Sequence, residues 1–333
     1  MNWSEGNFVN NRLVSIGLLT YNRPLSFKKA LDSLVSQSYK NIEIIIGDNS
    51  ENNETEKIYK KYIKDKRIKY YKHNENIGMM ANYKFVLDLA KGKYFMWSSD
   101  DDYWDNTFIE KAVQKLEGCP AAAACWPSIN FFDENGTILL RPDIDNQDLS
   151  NDTIIKRLLK ANLRGISAQV YCLIKTDIAK EFSFDNYQIV GIDVVFVNHL
   201  LLSGKCLMIN EPLFNYKLSS TSAYERHNYK STIYNEYARI NPRLDLFIKC
   251  FQLILRSKKI NIFQKFLYFT RYWFNLIFIN QRNFIPFYDY PIFKFFNLVI
   301  KKRNYNIIWI CFPLLLLLLP LFFYKKLKDF LKR

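Results

Sequence analysis

The chain has 333 residues, 49% of them hydrophobic, which excludes a sequence too polar to bury a core and allows one large or two moderate domains. Its formal charge of +15 resembles that of a nucleic-acid binder, but 16 Lys/Arg against 3 Asp/Glu fall between Asp245 and Arg333, leaving only +2 for residues 1–244. Basic residues interleaved there with Phe, Tyr, Trp, Leu and Ile, beside a long apolar run, point to an anionic membrane and away from nucleic acid. The six cysteines form no Cys-x-x-Cys pair, so reduced thiols in a cytosol-facing protein are expected. Residues 1–10 carry neither a basic n-region nor an apolar h-region, so no secretory signal is expected.

In chain order, Leu13 to Leu19 is a nearly continuous apolar run of strand type. It leads into Thr20-Tyr21-Asn22-Arg23-Pro24, where Pro24 suits the first turn of a helix. Apolar residues at 27, 30, 31, 34 and 35 predict that helix. Ile42 to Ile46 predicts a second buried strand, ending in Gly47-Asp48-Asn49-Ser50. A helix over Glu54–Ile63, a strand over Ile68–Tyr71, and a helix from Asn76-Ile77-Gly78 to about Ala90 follow. A strand at 94–97 then runs into Asp100-Asp101-Asp102, with a helix from about Asp105. Such alternation predicts an α/β fold with a mostly parallel sheet covered on both faces. Thr20 to Asn22, Asp48 to Ser50 and the triplet then share one rim. No Gly-x-Gly-x-x-Gly turn follows the first strand and no Gly-Lys-Ser/Thr loop occurs, which argues against a Rossmann dehydrogenase and a P-loop NTPase.

Three adjacent carboxylates repel one another unless a counter-charge arrives. Their hard oxygens suit Mn²⁺ or Mg²⁺, which reach proteins together with phosphate groups, and ligands of α/β sheets bind outside the carboxyl ends of the strands. A metal–diphosphate site is the sharper reading; an acidic turn capping the next helix is the blander one. Asp48 and Asn49 are equally turn formers, Asn22 a helix cap, and Arg23 faces either a diphosphate or solvent. His73 is expected at the surface.

Beyond Ala121, short strands are expected at Ala121–Trp126, Ser128–Phe132 and Thr137–Leu140, a loop at 141–152, a helix at Ile154–Leu163 and a strand at Ser167–Ile174. Gly191-Ile192-Asp193-Val194-Val195-Phe196 runs into a helix as far as Leu202, where Asp193 would by itself read as an N-cap. His199 falls off the face of Asp193 and reads as structural.

The segments Thr20 to Pro24, Gly47 to Ser50, Asn76-Ile77-Gly78, Trp97 to Trp104 and Gly191 to Phe196, in this order and spacing, resemble the family 2 inverting glycosyltransferases with the GT-A fold. The resemblance covers about residues 12–220. It implies a nucleoside-diphosphate sugar as donor, with Thr20, Tyr21, Asn22, Asp48, Asn76 and Asp100 against the nucleotide sugar. It also implies Mn²⁺ or Mg²⁺ on Asp101 and Asp102, and Asp193 as the base that deprotonates the acceptor hydroxyl. The register of the metal ligands within the triplet stays open, and Ile192 replaces one acid of the family's usual pair. Lys217, Arg226 or His227 could assist over the diphosphate. The Gln-x-x-Arg-Trp motif of processive synthases is missing, so one sugar per encounter is expected.

Residues 244–256 and 262–279 predict amphipathic helices in a membrane interface. Lys301-Lys302-Arg303 leads to Ile307 through Tyr324, which carries no charge and is long enough to span or re-enter a bilayer. The expected organisation is a GT-A catalytic domain over 1–230, a membrane-surface region over 231–305 and a hydrophobic helix with a basic tail over 306–333. The expected place is the cytoplasmic face of the cell inner membrane, the expected acceptor a lipid-linked or membrane-surface saccharide. The rivals are an inactive member scaffolding a membrane assembly and a basic nucleic-acid-binding protein.

Overall fold

The computed structural model describes residues 12–133, 135–139, 148–164, 168–184, 191–218 and 242–278. Apolar runs of Ile, Val and Leu form the strands β1 (Val14–Thr20) and β2 (Ile42–Asp48), buried at every position as expected of central parallel strands covered on both faces. With β3 (Ile68–Lys72) and β4 (Tyr94–Ser99) they make a parallel array in the order β3-β2-β1-β4. The crossovers are α1 (Pro24–Val35), with Pro24 at its start, α2 (Glu54–Tyr59) and α3 (Met79–Asp88). α1 buries Phe27, Ala30, Leu31 and Leu34, the spacing that predicted it.

The second half adds β5 (Tyr103–Trp104), α4 (Phe108–Glu117), β6 (Ala122–Phe132), β7 (Ile138–Leu139), α5 (Ile154–Arg164), β8 (Leu173–Lys175), α6 (Thr176–Lys180), α7 (Ile192–Ser203) and β9 (Lys205–Lys217). The sheet continues β4-β8-β6-β9-β5, giving nine strands among the described residues with β7 on β6. β8 is antiparallel to β4 and β6, β9 is parallel to β6, and β5 is antiparallel to β9. The expectation of a mostly parallel sheet therefore holds for β1 to β4, and the sheet is mixed beyond them.

Two expected strands flanking Pro127 are one strand, β6. Register shifts at Pro127/Ser128 and Ser128/Ile129 accommodate a residue that has no N–H to give to the ladder. The strand expected at Ser167–Ile174 shrinks to β8, preceded by a turn of 3₁₀ helix at Ala168–Val170.

Helices α8 (Pro242–Arg256) and α9 (Ile262–Phe278) lie where helices were expected. α8 packs on α7: Asn198 Nδ2 lies 3.7 Å from Cys250 Sγ, and Leu246 abuts Gly191. The first of two compact units ends at Trp273. Among the described residues no helix is long and apolar enough to cross a membrane. The apolar run at 307–324, its basic flanks, Arg226, His227 and residues 141–147 lie outside the described residues.

Candidate active site

β1 lies between β2 and β4, so chain crossovers diverge at its carboxyl end and leave a crevice there. Strand register brings the polar segments together: Thr20 pairs with Asp48, and Leu19 with Ser99. Thr20 Oγ1 donates to Asp100 Oδ2 at 2.9 Å, and the Tyr21 N–H donates to the same oxygen at 3.1 Å. Arg23 Nη1 donates to Asp100 Oδ1 at 2.8 Å and to Asp101 Oδ2 at 2.9 Å, so the chain itself supplies a counter-charge to the triplet. Asp101 Oδ1 also accepts from the Ser99 hydroxyl.

The three acids differ in environment. The Asp100 side chain is 4% exposed and that of Asp101 18%. Burial pushes the Asp100 carboxyl up to about 6, although Arg23, the Tyr21 N–H and Thr20 pull it down. Asp102 is buried and held well above the carboxylate range, first by desolvation and then by Asp101. Asp102 Oδ1 accepts the Lys217 N–H at 2.8 Å, which ties the end of β9 to the acidic loop. Of the two expected metal ligands, Asp101 is thus the more open one, and Asp102 also serves as a clamp.

Asp48, expected against the nucleotide sugar, is fully buried. Its carboxylate accepts from the Ser50 N–H at 2.7 Å and the Tyr70 hydroxyl at 2.5 Å, so in this structure it shapes the loop after β2. Gly47 has no room for a side chain, because a Cβ there would lie 2.1 Å from Asn82 Oδ1. Asn82 in turn donates to the Gly47 carbonyl at 2.8 Å and meets His73 Nε2 at 3.1 Å. His73 is therefore a partly buried brace, not the surface residue expected.

The rim above this loop is polar. Asn22 adopts φ 53°, a left-handed conformation that Asn tolerates, and its side chain accepts the Glu51 N–H at 3.2 Å. The Tyr21 hydroxyl donates to Glu51 at 3.1 Å, with Asn76 also in hydrogen-bonding reach. Asn76 is exposed and accepts the Gly78 N–H at 2.9 Å, setting the turn before α3.

Asp193 stands in the first turn of α7, where Gly191 at φ 85° is the N-cap. It is partly buried, and desolvation pushes its carboxyl up to about 6 against the pull of its own and Val194's backbone N–H groups. Carboxylates are favoured at a helix N-terminus, which keeps the ionised form within reach at neutral pH. Tyr83 stands on α3. Burial raises its hydroxyl, and both Asp193 and Asp101 raise it further. Its partner Tyr171, 2.9 Å away, is raised by burial, by Tyr83 and by Asp102. The Tyr83 and Tyr171 hydroxyls are thus each other's hydrogen-bond partners, between α3 and the segment before β8. Trp97 holds the geometry: its Nε1 donates to the Tyr83 carbonyl at 3.1 Å, and its ring lies edge-on to Phe196 of α7 at 5.0 Å. His199 faces away, bonded to the Ile178 carbonyl at 2.8 Å, as expected for a structural residue.

Sequence reasoning missed Tyr83, Tyr171 and Asn82. The tight place of Gly47 beside an acid was the one signal for Asn82, and a tyrosine on a helix or in a short connection has no spacing signature.

Among the described residues no group of three or more His, Cys, Asp or Glu forms a self-sufficient metal cage. Mg²⁺-type sites usually take one or two carboxylates and complete their shell with substrate phosphates and water. A partly exposed Asp101 flanked by two buried acids fits that mode.

The family described as Glycosyl transferase family 2 matches residues 15–182. The parallel β3-β2-β1-β4 array thus carries Thr20, Asp48 and the acidic triplet at its carboxyl edge. This chain belongs to glycosyl transferase family 2. It is 28% identical over 229 residues to an uncharacterized glycosyltransferase of Methanocaldococcus jannaschii, covering 68% of this chain and 77% of the relative. Over 105 residues it is 40% identical to the Escherichia coli UDP-Glc:alpha-D-GlcNAc-diphosphoundecaprenol beta-1,3-glucosyltransferase WfaP, covering 32% of this chain and 41% of that enzyme. Staphylococcus aureus TarS 1–349, solved in complex with UDP-GlcNAc, shares the fold at TM-score 0.60 and 16% identity, over 81% of this chain and 74% of that one. The Pyrobaculum calidifontis mannosyltransferase PcManGT, solved with GDP-Man and Mn²⁺, reaches TM-score 0.50 at 16% identity, over 80% of this chain and 70% of that one.

Proposed function

We propose that the chain is an inverting, non-processive glycosyltransferase. It moves one sugar from a nucleoside-diphosphate sugar to a saccharide held at the membrane, with a lipid-linked saccharide as the acceptor class. Its place is the cytoplasmic face of the cell inner membrane. The observation that carries the reading is the meeting of Thr20, Tyr21 and Arg23 with the acidic triplet at the carboxyl end of β1, in a chain of this family.

In this reading the donor lies across the end of β1, lined by Thr20, Tyr21, Asn22, Asn76 and Asp100 over the loop that Asp48 shapes. Asp101 and Asp102 hold Mn²⁺ or Mg²⁺, which when bound supplies positive charge to the departing diphosphate. Asp193 takes the proton of the acceptor hydroxyl while its oxygen bonds to the anomeric carbon. The bond from that carbon to the diphosphate oxygen breaks in the same step, its electron pair leaving with the nucleoside diphosphate, and the configuration inverts. The nucleotide-sugar complexes of TarS and PcManGT support the donor class, and the second also supports the ion. The diphosphoundecaprenol acceptor in the name of the E. coli relative supports a lipid-linked one.

The test is thermal unfolding of the full chain with UDP-, GDP- and dTDP-sugars, with and without Mn²⁺. A matching donor at a hundred times its Kd should add about 2.7 kcal/mol of stability. A chain that no nucleotide sugar stabilises, with or without Mn²⁺, contradicts the reading.

A further inference from the structure

The turn between α8 and α9 is a built tip. Asn261 Oδ1 accepts the Gln264 N–H at 2.9 Å while Gln264 Oε1 accepts the Asn261 N–H at 2.9 Å, a reciprocal capping box that fixes the start of α9. Lys265 Nζ donates to the Leu255 carbonyl at 2.6 Å and closes the end of α8. Underneath, Ile254, Ile260 and Tyr268 are buried, and Phe251 packs on Phe269 with ring centroids 4.1 Å apart. The hairpin therefore already has an inner apolar face.

Its outer face is apolar as well. Ile262 is 80% exposed, Phe263 63%, Phe266 56% and Leu255 43%. Isolated exposed hydrophobics are ordinary, but four on one capped tip form a patch that marks an interaction surface. Arg256, Lys258 and Lys259 are exposed beside them, and no acidic residue occurs between Asp245 and Asp289. A protein partner would have to answer three cations and four apolar groups between Leu255 and Phe266. An anionic bilayer offers both at once, phosphates at the surface and hydrocarbon a few ångströms below.

We propose that the α8–α9 tip docks on an anionic lipid surface, with Ile262, Phe263, Phe266 and Leu255 in the acyl boundary and Arg256, Lys258 and Lys259 at the phosphates. This rests on the membrane-held acceptor proposed above and names the surface that brings the catalytic body to it. It is independent of how residues 307–324 behave.

The test uses the full chain with Cys119→Ser, Cys311→Ser and Phe263→Cys, labelled at position 263 with the environment-sensitive fluorophore NBD. A second preparation carries the label at Lys57→Cys on α2, whose side chain is 67% exposed. Vesicles of phosphatidylcholine with 30 mole per cent phosphatidylglycerol should shift the emission at 263 to the blue and make it quenchable by acyl-chain bromine. The label at 57 should not respond. High salt or pure phosphatidylcholine should weaken the shift, and Ile262→Ser with Phe266→Ser should remove most of the blue shift and of the bromine quenching at 263. A label at 263 that stays in water on vesicle-bound protein overturns the proposal. So does a blue shift without vesicles that grows with protein concentration, which would place the patch against a second copy. Donor-induced thermal stabilisation, measured on the same labelled protein, separates failure of this surface from failure of the proposed activity.

Discussion

Arg23 Nη1 lies 2.8 Å from Asp100 Oδ1 and 2.9 Å from Asp101 Oδ2, so one guanidinium on the loop after β1 holds two carboxylates on the loop after β4. Asp100 is nearly buried, and an unpaired carboxylate there is costly. Arg23→Gln should therefore destabilise the chain by about 1–2 kcal/mol at pH 8, a figure reduced because Arg23 is itself about a third exposed. The loss should shrink towards pH 5, where Asp100 takes up a proton. Urea denaturation at the two pH values measures it.

Asp193 gives a pH dependence of defined sign. Its carboxyl is raised to about 6 in the folded chain, and a base works only when ionised. Transfer should rise with pH up to about 6 and then level, provided chemistry limits the rate. The stability effect runs the other way. The folded state holds this proton more tightly than the unfolded chain does, so Asp193 costs stability increasingly as pH rises from about 4 to 6 and fully above that. Asp193→Asn should be more stable than the native chain at pH 8, by on the order of 1–3 kcal/mol, with the difference vanishing near pH 4.

Asp102 separates structure from charge. Its Oδ1 receives the Lys217 N–H, a role that an amide oxygen can fill. Asp102→Asn should keep the fold, and Asp102→Ala should cost about 1–3 kcal/mol. If the carboxylate also binds the ion, the Asn variant should lose Mn²⁺ affinity in the presence of nucleotide, measured by calorimetry. Asp101→Asn should lose it in the same assay with little effect on stability.

The Tyr83–Tyr171 pair predicts coupling. Either Phe substitution leaves the other hydroxyl without its 2.9 Å partner and should cost about 1 kcal/mol. The double variant should cost less than the sum, and a double-mutant cycle on unfolding free energies reads the difference.

The parallel half of the fold was legible in the sequence because Val14–Thr20 and Ile42–Asp48 are uninterrupted apolar runs and α1 carries a clean helical face. The mixed half was less so. β9 includes exposed Asn210, Glu211 and Pro212, which hide its apolar pattern, and β5 is a strand of two residues defined by its pairing with β9. At the site, the three strand-end segments were identified and the register joins them. What spacing could not reveal was which partner each polar group would take. Thr20 and Arg23 both reach Asp100 from a distant part of the chain, Asp48 turns inward to Tyr70 on the neighbouring strand, and His73 meets Asn82 on the helix that follows it.

In the proposed reaction Asp193 acts as the base on the acceptor while the acidic loop after β4 serves the donor. Asp193→Asn, assayed in parallel for calorimetric donor binding and for sugar transfer, tests it most directly. Donor affinity should stay within about twofold of the native chain while transfer falls by about 10²- to 10⁴-fold. Transfer at the native rate by the Asn variant would contradict it.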